Sequence, residues 1–140
     1  MNAFCLEDLS LGQDAVLCRT VAEADLLAFA EVTGDNNPVH LDEAFAATTA
    51  FKGRIAHGML SAGYISAVIA TKLPGAGAIY ISQSLQFRRP VRIGDTVETR
   101  VEITAIDRER ARVTLSTVCS VNGKSVVEGE AQIMVPRRQA

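Results

Sequence analysis

The chain has 140 residues and a formal net charge of −2 from 14 basic and 16 acidic side chains, a length that predicts one domain with a sizeable core. This near balance excludes the electrostatic footprint of a nucleic-acid or anionic-membrane partner. Hydrophobic residues make up 48% of the chain but fall in runs well short of the roughly 20 apolar residues of a membrane span, so a soluble protein is expected.

In chain order, Met1-Asn2-Ala3-Phe4-Cys5-Leu6-Glu7 has no basic region followed by an apolar core. No secretory signal is predicted there, and a cytoplasmic location is expected. Residues 1–13, with a turn signal at Gly12, predict an ordered arm or a loose start. Cys5, Cys18 and Cys119 are odd in number and far apart, which fits neither a disulfide framework nor a zinc site and predicts reduced, packed thiols. Residues 15–20 alternate as a first strand. Thr20 with Glu23 three residues on resembles a helix cap, and Val21, Ala24, Leu27, Ala28 and Glu31 follow at helical spacing up to a stop at Gly34.

The next stretch, Thr33-Gly34-Asp35-Asn36-Asn37-Pro38-Val39-His40, places a carboxylate and an imidazole five residues apart. Gly34 and the Asn pair accept unusual backbone angles, and Pro38 forces Asn37 into an extended conformation. A pinned, non-helical loop is predicted, able to aim Asp35 and His40 at a common point, which is the first geometric need of acid–base chemistry.

Residues 42–47 predict one or two helical turns capped by Asp42. Residues 51–58, with two glycines, predict an irregular crossing. Residues 59–71 are apolar on nearly every face, the pattern of a helix surrounded by protein. Leu73-Pro74-Gly75-Ala76-Gly77 ends that helix. Strands are then predicted over 79–87, 96–106, 111–121 and 125–135, with turns at 92–95, at 107–110 and at Asn122-Gly123, the strongest hairpin signal in the chain. Successive strands with short connections predict an antiparallel sheet wrapped around the apolar helix. Such a sheet leaves an edge or face to protect, so a homodimer is expected.

Phe29-Ala30-Glu31-Val32-Thr33-Gly34-Asp35-Asn36-Asn37-Pro38-Val39-His40, with Ala46 after it, resembles the signature of the MaoC-like, or hydratase 2, family of (R)-specific enoyl-CoA hydratases. The resemblance extends through Gly53-Arg54-Ile55-Ala56-His57-Gly58-Met59-Leu60 and Phe87-Arg88-Arg89-Pro90-Val91-Arg92-Ile93-Gly94-Asp95, covering roughly residues 14–135. It implies an α+β hot-dog fold, with an antiparallel sheet around a long central helix, and hydration of trans-2-enoyl-CoA to (R)-3-hydroxyacyl-CoA. It also implies that Asp35 and His40 are the catalytic pair. Polyhydroxyalkanoate precursor supply and fatty-acid breakdown are both settings the family suggests.

Hydrating a 2-enoyl thioester requires a water deprotonated toward C3 and a proton delivered to C2, which two groups of different proton affinity sharing one water can accomplish. Negative charge also builds on the thioester oxygen. The resemblance and the start of the apolar helix both point to the Gly58 N–H as the donor that meets it; the bland reading is that Gly58 only permits the turn. His57 is open to two roles, orienting the pair or packing as a backbone-bonded histidine. Ser61, one turn on, either bonds into the site or back to its own helix. Arg88 and Arg89 either meet coenzyme A phosphates or are solvated. An acyl pocket is expected along the central helix beside Ala62, Gly63 and Tyr64. No metal site and no cofactor are expected, coenzyme A being part of the substrate. The competing readings are the reverse dehydration on a coenzyme A or acyl-carrier thioester, thioester hydrolysis, against which the Asp/His motif argues, and a non-catalytic acyl-CoA binding module.

Overall fold

The computed structural model describes residues 1–139. Six antiparallel strands form one sheet: Asp14–Thr20 (β1), Ile79–Gln83 (β2), Gln86–Phe87 (β3), Thr96–Asp107 (β4), Arg112–Val121 (β5) and Lys124–Met134 (β6). Their spatial order is β1-β4-β5-β6-β2, with β3 also paired to β6. Four helices precede or interrupt them: Glu23–Thr33 (α1), Pro38–Leu41 (α2), Glu43–Ala47 (α3) and Gly58–Thr71 (α4). This is the antiparallel sheet and long helix of the hot-dog fold.

Period-two alternation places Val97, Thr99, Val101 and Ile103 of β4 inward, and Val113, Leu115, Thr117 and Cys119 of β5 beside them, all buried. Against this face α4 lays Ile65, Val68 and Ile69, each essentially excluded from solvent. Burial of such a side chain contributes about 1.5–3 kcal/mol, so this contact is the principal source of cohesion. Asn122 and Gly123 both have positive φ, at 51° and 78°, the backbone that a two-residue hairpin with the twist of its strands requires. The first residues form an ordered arm, with Leu6 and Leu9 buried and the Leu6 N–H bonded to Pro136 O at 2.8 Å.

Several sequence expectations are corrected by competing local chemistry. Thr20 does not cap α1; it ends β1 and bonds Thr96 Oγ1 at 2.8 Å. The helix starts at Glu23, and the Asp25 carboxylate accepts the Ala22 N–H at 2.8 Å, so its buried face is set by Leu26 and Ala30 while Leu27 is exposed. Gly34 does end α1, in the left-handed conformation at φ 82°. The Asp35–His40 stretch is not wholly non-helical. Pro38 opens the one-turn helix α2, a position where its missing N–H costs nothing, and Asn37 caps that turn by accepting the Val39 N–H at 3.1 Å. Asn37 itself is extended, ψ 127°, as the following proline demands.

The strand predicted over 79–87 divides into β2 and β3 at Ser84-Leu85. Gln83 pairs with Ala131 and Gln86 with Glu128, so the register carries through the break. Opposite it lies Gly129, where a Cβ would come 1.8 Å from Ser84 O; the carbonyl of the bend occupies the space a side chain would take. Finally, α4 is not covered all round: Met59, Gly63, Ser66 and Ala70, at spacings of four, three and four, are exposed along one face.

Candidate active site

Asp35 and His40, five residues apart, come together with His57 from a second piece of chain. One ligating atom from each falls within 4.8 Å of the other two. His40 sits on α2 and is 9% exposed. Its Nδ1 lies 2.8 Å from Ile55 O. A carbonyl can only accept, so Nδ1 carries the proton and Nε2 keeps its lone pair free. Asp35 follows the Gly34 turn and is exposed; its carboxylate oxygen accepts only a long 3.4 Å bond from the Asn37 N–H. Thr33 Oγ1 accepts the Asp35 N–H at 3.1 Å while donating to Phe29 O at 2.7 Å, which ties the Asp35 backbone to the last turn of α1.

His57 immediately precedes α4 and is 2% exposed. Its Nε2–H donates to the Asp35 backbone carbonyl at 3.0 Å, so it is a backbone-bonded histidine that also orients the Asp35 loop. Of the two readings the sequence left open for it, the structure shows the backbone-bonded one. Its Nδ1 is buried without a partner among the described residues. The His40 and His57 rings stack at 3.8 Å with 27° between planes, and Phe29 packs on His57 at 4.6 Å. Near-parallel imidazoles run their in-plane lone pairs alongside one another, and each ring already has one nitrogen committed to a carbonyl. The trio therefore suits proton transfer better than convergence on a tetrahedral ion.

Beside this group opens a cavity of about 400 Å³ lined by Phe51, Ile55, Gly58, Met59, Ser61 and Phe87, among others. Asp35, His40 and His57 are not themselves among its lining residues; the two sites adjoin through Ile55, whose carbonyl bonds His40, and through Ala56 and Gly58, which flank His57 at the N-terminus of α4, where the first backbone N–H groups have no intrahelical acceptor. The polarity of that helix end suits a developing negative charge. Ser61 lines the cavity and its carbonyl accepts from Cys119 Sγ at 3.6 Å; the helix hydroxyl that turns back on its own backbone is instead Thr71, bonded to Ala67 O at 2.7 Å. The expected pocket beside Ala62, Gly63 and Tyr64 is displaced toward the helix start, because Tyr64 is packed into the core and Gly63 faces outward.

Gly58 also has a packing role that the sequence does not display. A Cβ there would lie 2.6 Å from Phe87 Cε1, so the ring of Phe87, 54% exposed, rests on the glycine and forms a wall of the cavity. Sequence reasoning did not single out Phe87, nor Phe29 beneath His57; both lie within the matched motifs, which was the signal available. Arg88 pairs with Glu128 at 3.4 Å and Arg89 donates to Ser125 O at 2.6 Å, so both are engaged with β6 at the cavity rim.

Residues 11–124 match the family model of the MaoC like domain. An (R)-specific enoyl-CoA hydratase of Rhodospirillum rubrum is 56% identical over 132 residues, 94% of this chain and 92% of that one. A 3-hydroxybutyryl-CoA dehydratase of Methylorubrum extorquens is 52% identical over 99% of this chain and 88% of its own length. The unliganded R-hydratase PhaJ1 of Pseudomonas aeruginosa superposes with a TM-score of 0.91 at 50% identity, covering 96% of this chain and 86% of that one. With an Asp/His pair, a helix N-terminus and a cavity assembled on this fold, the chain belongs to the MaoC-like family.

Proposed function

We propose that this chain is an (R)-specific enoyl-CoA hydratase that adds water to trans-2-enoyl-CoA to give (R)-3-hydroxyacyl-CoA. The observation that carries the reading is the convergence of Asp35 and His40 next to the start of α4, with His40 Nδ1 committed to Ile55 O so that Nε2 is the nitrogen left for a water. A water held by both groups loses a proton as its oxygen bonds to C3. The electron pair of the C2–C3 double bond moves onto the thioester oxygen, where the Gly58 N–H and the helix N-terminus meet the charge. A proton then passes to C2 as the thioester carbonyl re-forms, and Asp35 and His40 jointly carry both proton movements. The same groups serve the reverse dehydration, so the name of the Methylorubrum relative describes the same chemistry in the other direction. The (R) stereochemistry is supported by the relatives' names.

Ser61 and His57 complete the substrate-facing end of α4, His57 by orienting the Asp35 loop. The reaction calls for no resident cofactor. We further propose a cytoplasmic homodimer. The edge strand β2 exposes Ile79, Tyr80 and Ile81, and the bare face of α4 lies uncovered in one protomer; a second copy would protect both. No helix among the described residues is long and apolar enough to cross a membrane.

The test is loss of the conjugated thioester's absorbance when purified protein meets crotonyl-CoA, with chiral analysis of the product and free thiol monitored in parallel. (R)-3-hydroxybutyryl-CoA without thiol release supports the hydratase. Thiol release without a hydroxyacyl product would replace it with a thioesterase.

A further inference from the structure

The one-turn helix α2 is too short to hold itself in place, yet it carries His40. Besides the Asn37 cap at its start, its bonds to the rest of the chain run to residues 54–55, fourteen and fifteen positions beyond His40. Arg54 Nε donates to His40 O at 2.8 Å, satisfying a carbonyl that the end of a helix leaves without an intrahelical partner. The Ile55 N–H donates to Val39 O at 3.3 Å, and Ile55 O takes the His40 Nδ1 proton at 2.8 Å. The far end of Arg54 is fixed in turn. Nη1 donates to Glu23 Oε1 at 2.9 Å in the first turn of α1, and the side chain is only 12% exposed. One guanidinium therefore links α1, α2 and the crossing segment, and its planar fork supplies the two donors at once in a way a lysine ammonium does not.

We propose that Arg54 is the positioning residue for His40. By clamping the His40 carbonyl it holds the imidazole against Ile55 O, which keeps the proton on Nδ1 and leaves Nε2 as the base. The arrangement parallels a ligating or catalytic histidine whose second nitrogen is set by a backbone carbonyl, here with the histidine's own main-chain carbonyl held by a neighbouring side chain. The consequence for rate rests on the proposed hydratase reading; the consequence for the tautomer does not.

The experiment follows the imidazole nitrogens of the full-length, ¹⁵N-labelled protein by long-range ¹H–¹⁵N correlation, together with kcat and KM on crotonyl-CoA, for the wild type, Arg54→Leu and Arg54→Lys. At a pH where the wild-type imidazole is neutral, His40 should show a single form with the proton on Nδ1. Arg54→Leu should add the Nε2-protonated form and lower kcat about 10- to 100-fold with little change in KM, the cost of a misplaced catalytic group. Arg54→Lys keeps the charge and most of the buried stem but not the fork. It should show the same tautomer change and a loss in kcat of the same kind, and it decides the matter if the leucine variant does not fold. A single Nδ1-protonated form with wild-type kcat in either folded variant would overturn the proposal. If the wild type is inactive on thioesters yet the variants mix tautomers, the hydratase reading fails while the positioning role stands.

Discussion

His40 and Asp35 reach the same point from five residues apart, but they are held in opposite ways. His40 is buried, its ring stacked on His57, with both its backbone carbonyl and its Nδ1 bonded to residues 54–55. Asp35 is exposed; the firm tether from the α4 side grips its backbone carbonyl rather than its carboxylate. His40 is thus fixed in tautomer and direction, whereas the Asp35 carboxylate is exposed to solvent and held by one long bond. The segment from Arg54 to His57 serves both, gripping His40 at one end and the Asp35 loop at the other.

This contrast is broken most severely at His40. His40→Ala should lower kcat about 10²- to 10⁴-fold, the scale of a lost general acid–base group. It should also lower stability by about 1–3 kcal/mol, because the Ile55 carbonyl loses its partner; steady-state kinetics and urea unfolding measure the two effects. Asp35→Asn should depress kcat by at least about 10²-fold with an unchanged melting midpoint, because the bond from His57 to the Asp35 backbone survives the substitution. Equal stability losses in the two variants would remove the distinction between a fixed base and a free carboxylate.

Gly58→Ala sharpens the comparison from the other side of the site. The added methyl must displace the Phe87 ring, and overpacking of this kind costs about 1–3 kcal/mol. Adding Phe87→Ala should return most of that stability in thermal unfolding. Persistence of the loss would mean that the helix start, not the ring, demands glycine. The smallest effect is expected behind the site, at Cys119. Burial pushes its thiol above the ordinary 9.0, with the Thr99 hydrogen bond opposing the shift. The folded state then keeps a proton that the unfolded chain releases. Stability is therefore undiminished below the unfolded thiol's pKa and falls as pH rises through and beyond it, and Cys119→Ala should flatten that decline in unfolding curves taken from pH 8 to 10.5.

Much of the fold was legible because burial imposes a period. Val97, Thr99, Val101 and Ile103 alternate in sequence and alternate in space, and Asn122-Gly123 names its own turn. Where a local bond competes with a pattern, the pattern alone misplaces the element. Asp25 rather than Glu23 closes the start of α1, Pro38 begins a helix instead of preventing one, and Ser84 bends a strand over Gly129, a partner more than forty residues away. The Asp/His pair and the helix start were readable through the resemblance. Arg54's grip on the His40 carbonyl and Phe87's seat on Gly58 were not, since each depends on a side chain crossing to an element distant in sequence.

The proposed hydration depends on one water placed between Asp35 and His40 and aimed at C3 of the acyl chain. Its most direct test is turnover of crotonyl-CoA in H₂¹⁸O, with mass spectrometry locating the label. Incorporation of ¹⁸O into the C3 hydroxyl of (R)-3-hydroxybutyryl-CoA, lost together in Asp35→Asn and His40→Ala, is the expected result. Label in the carboxylate of a released acid, or C3 labelling undiminished in both variants, would contradict it.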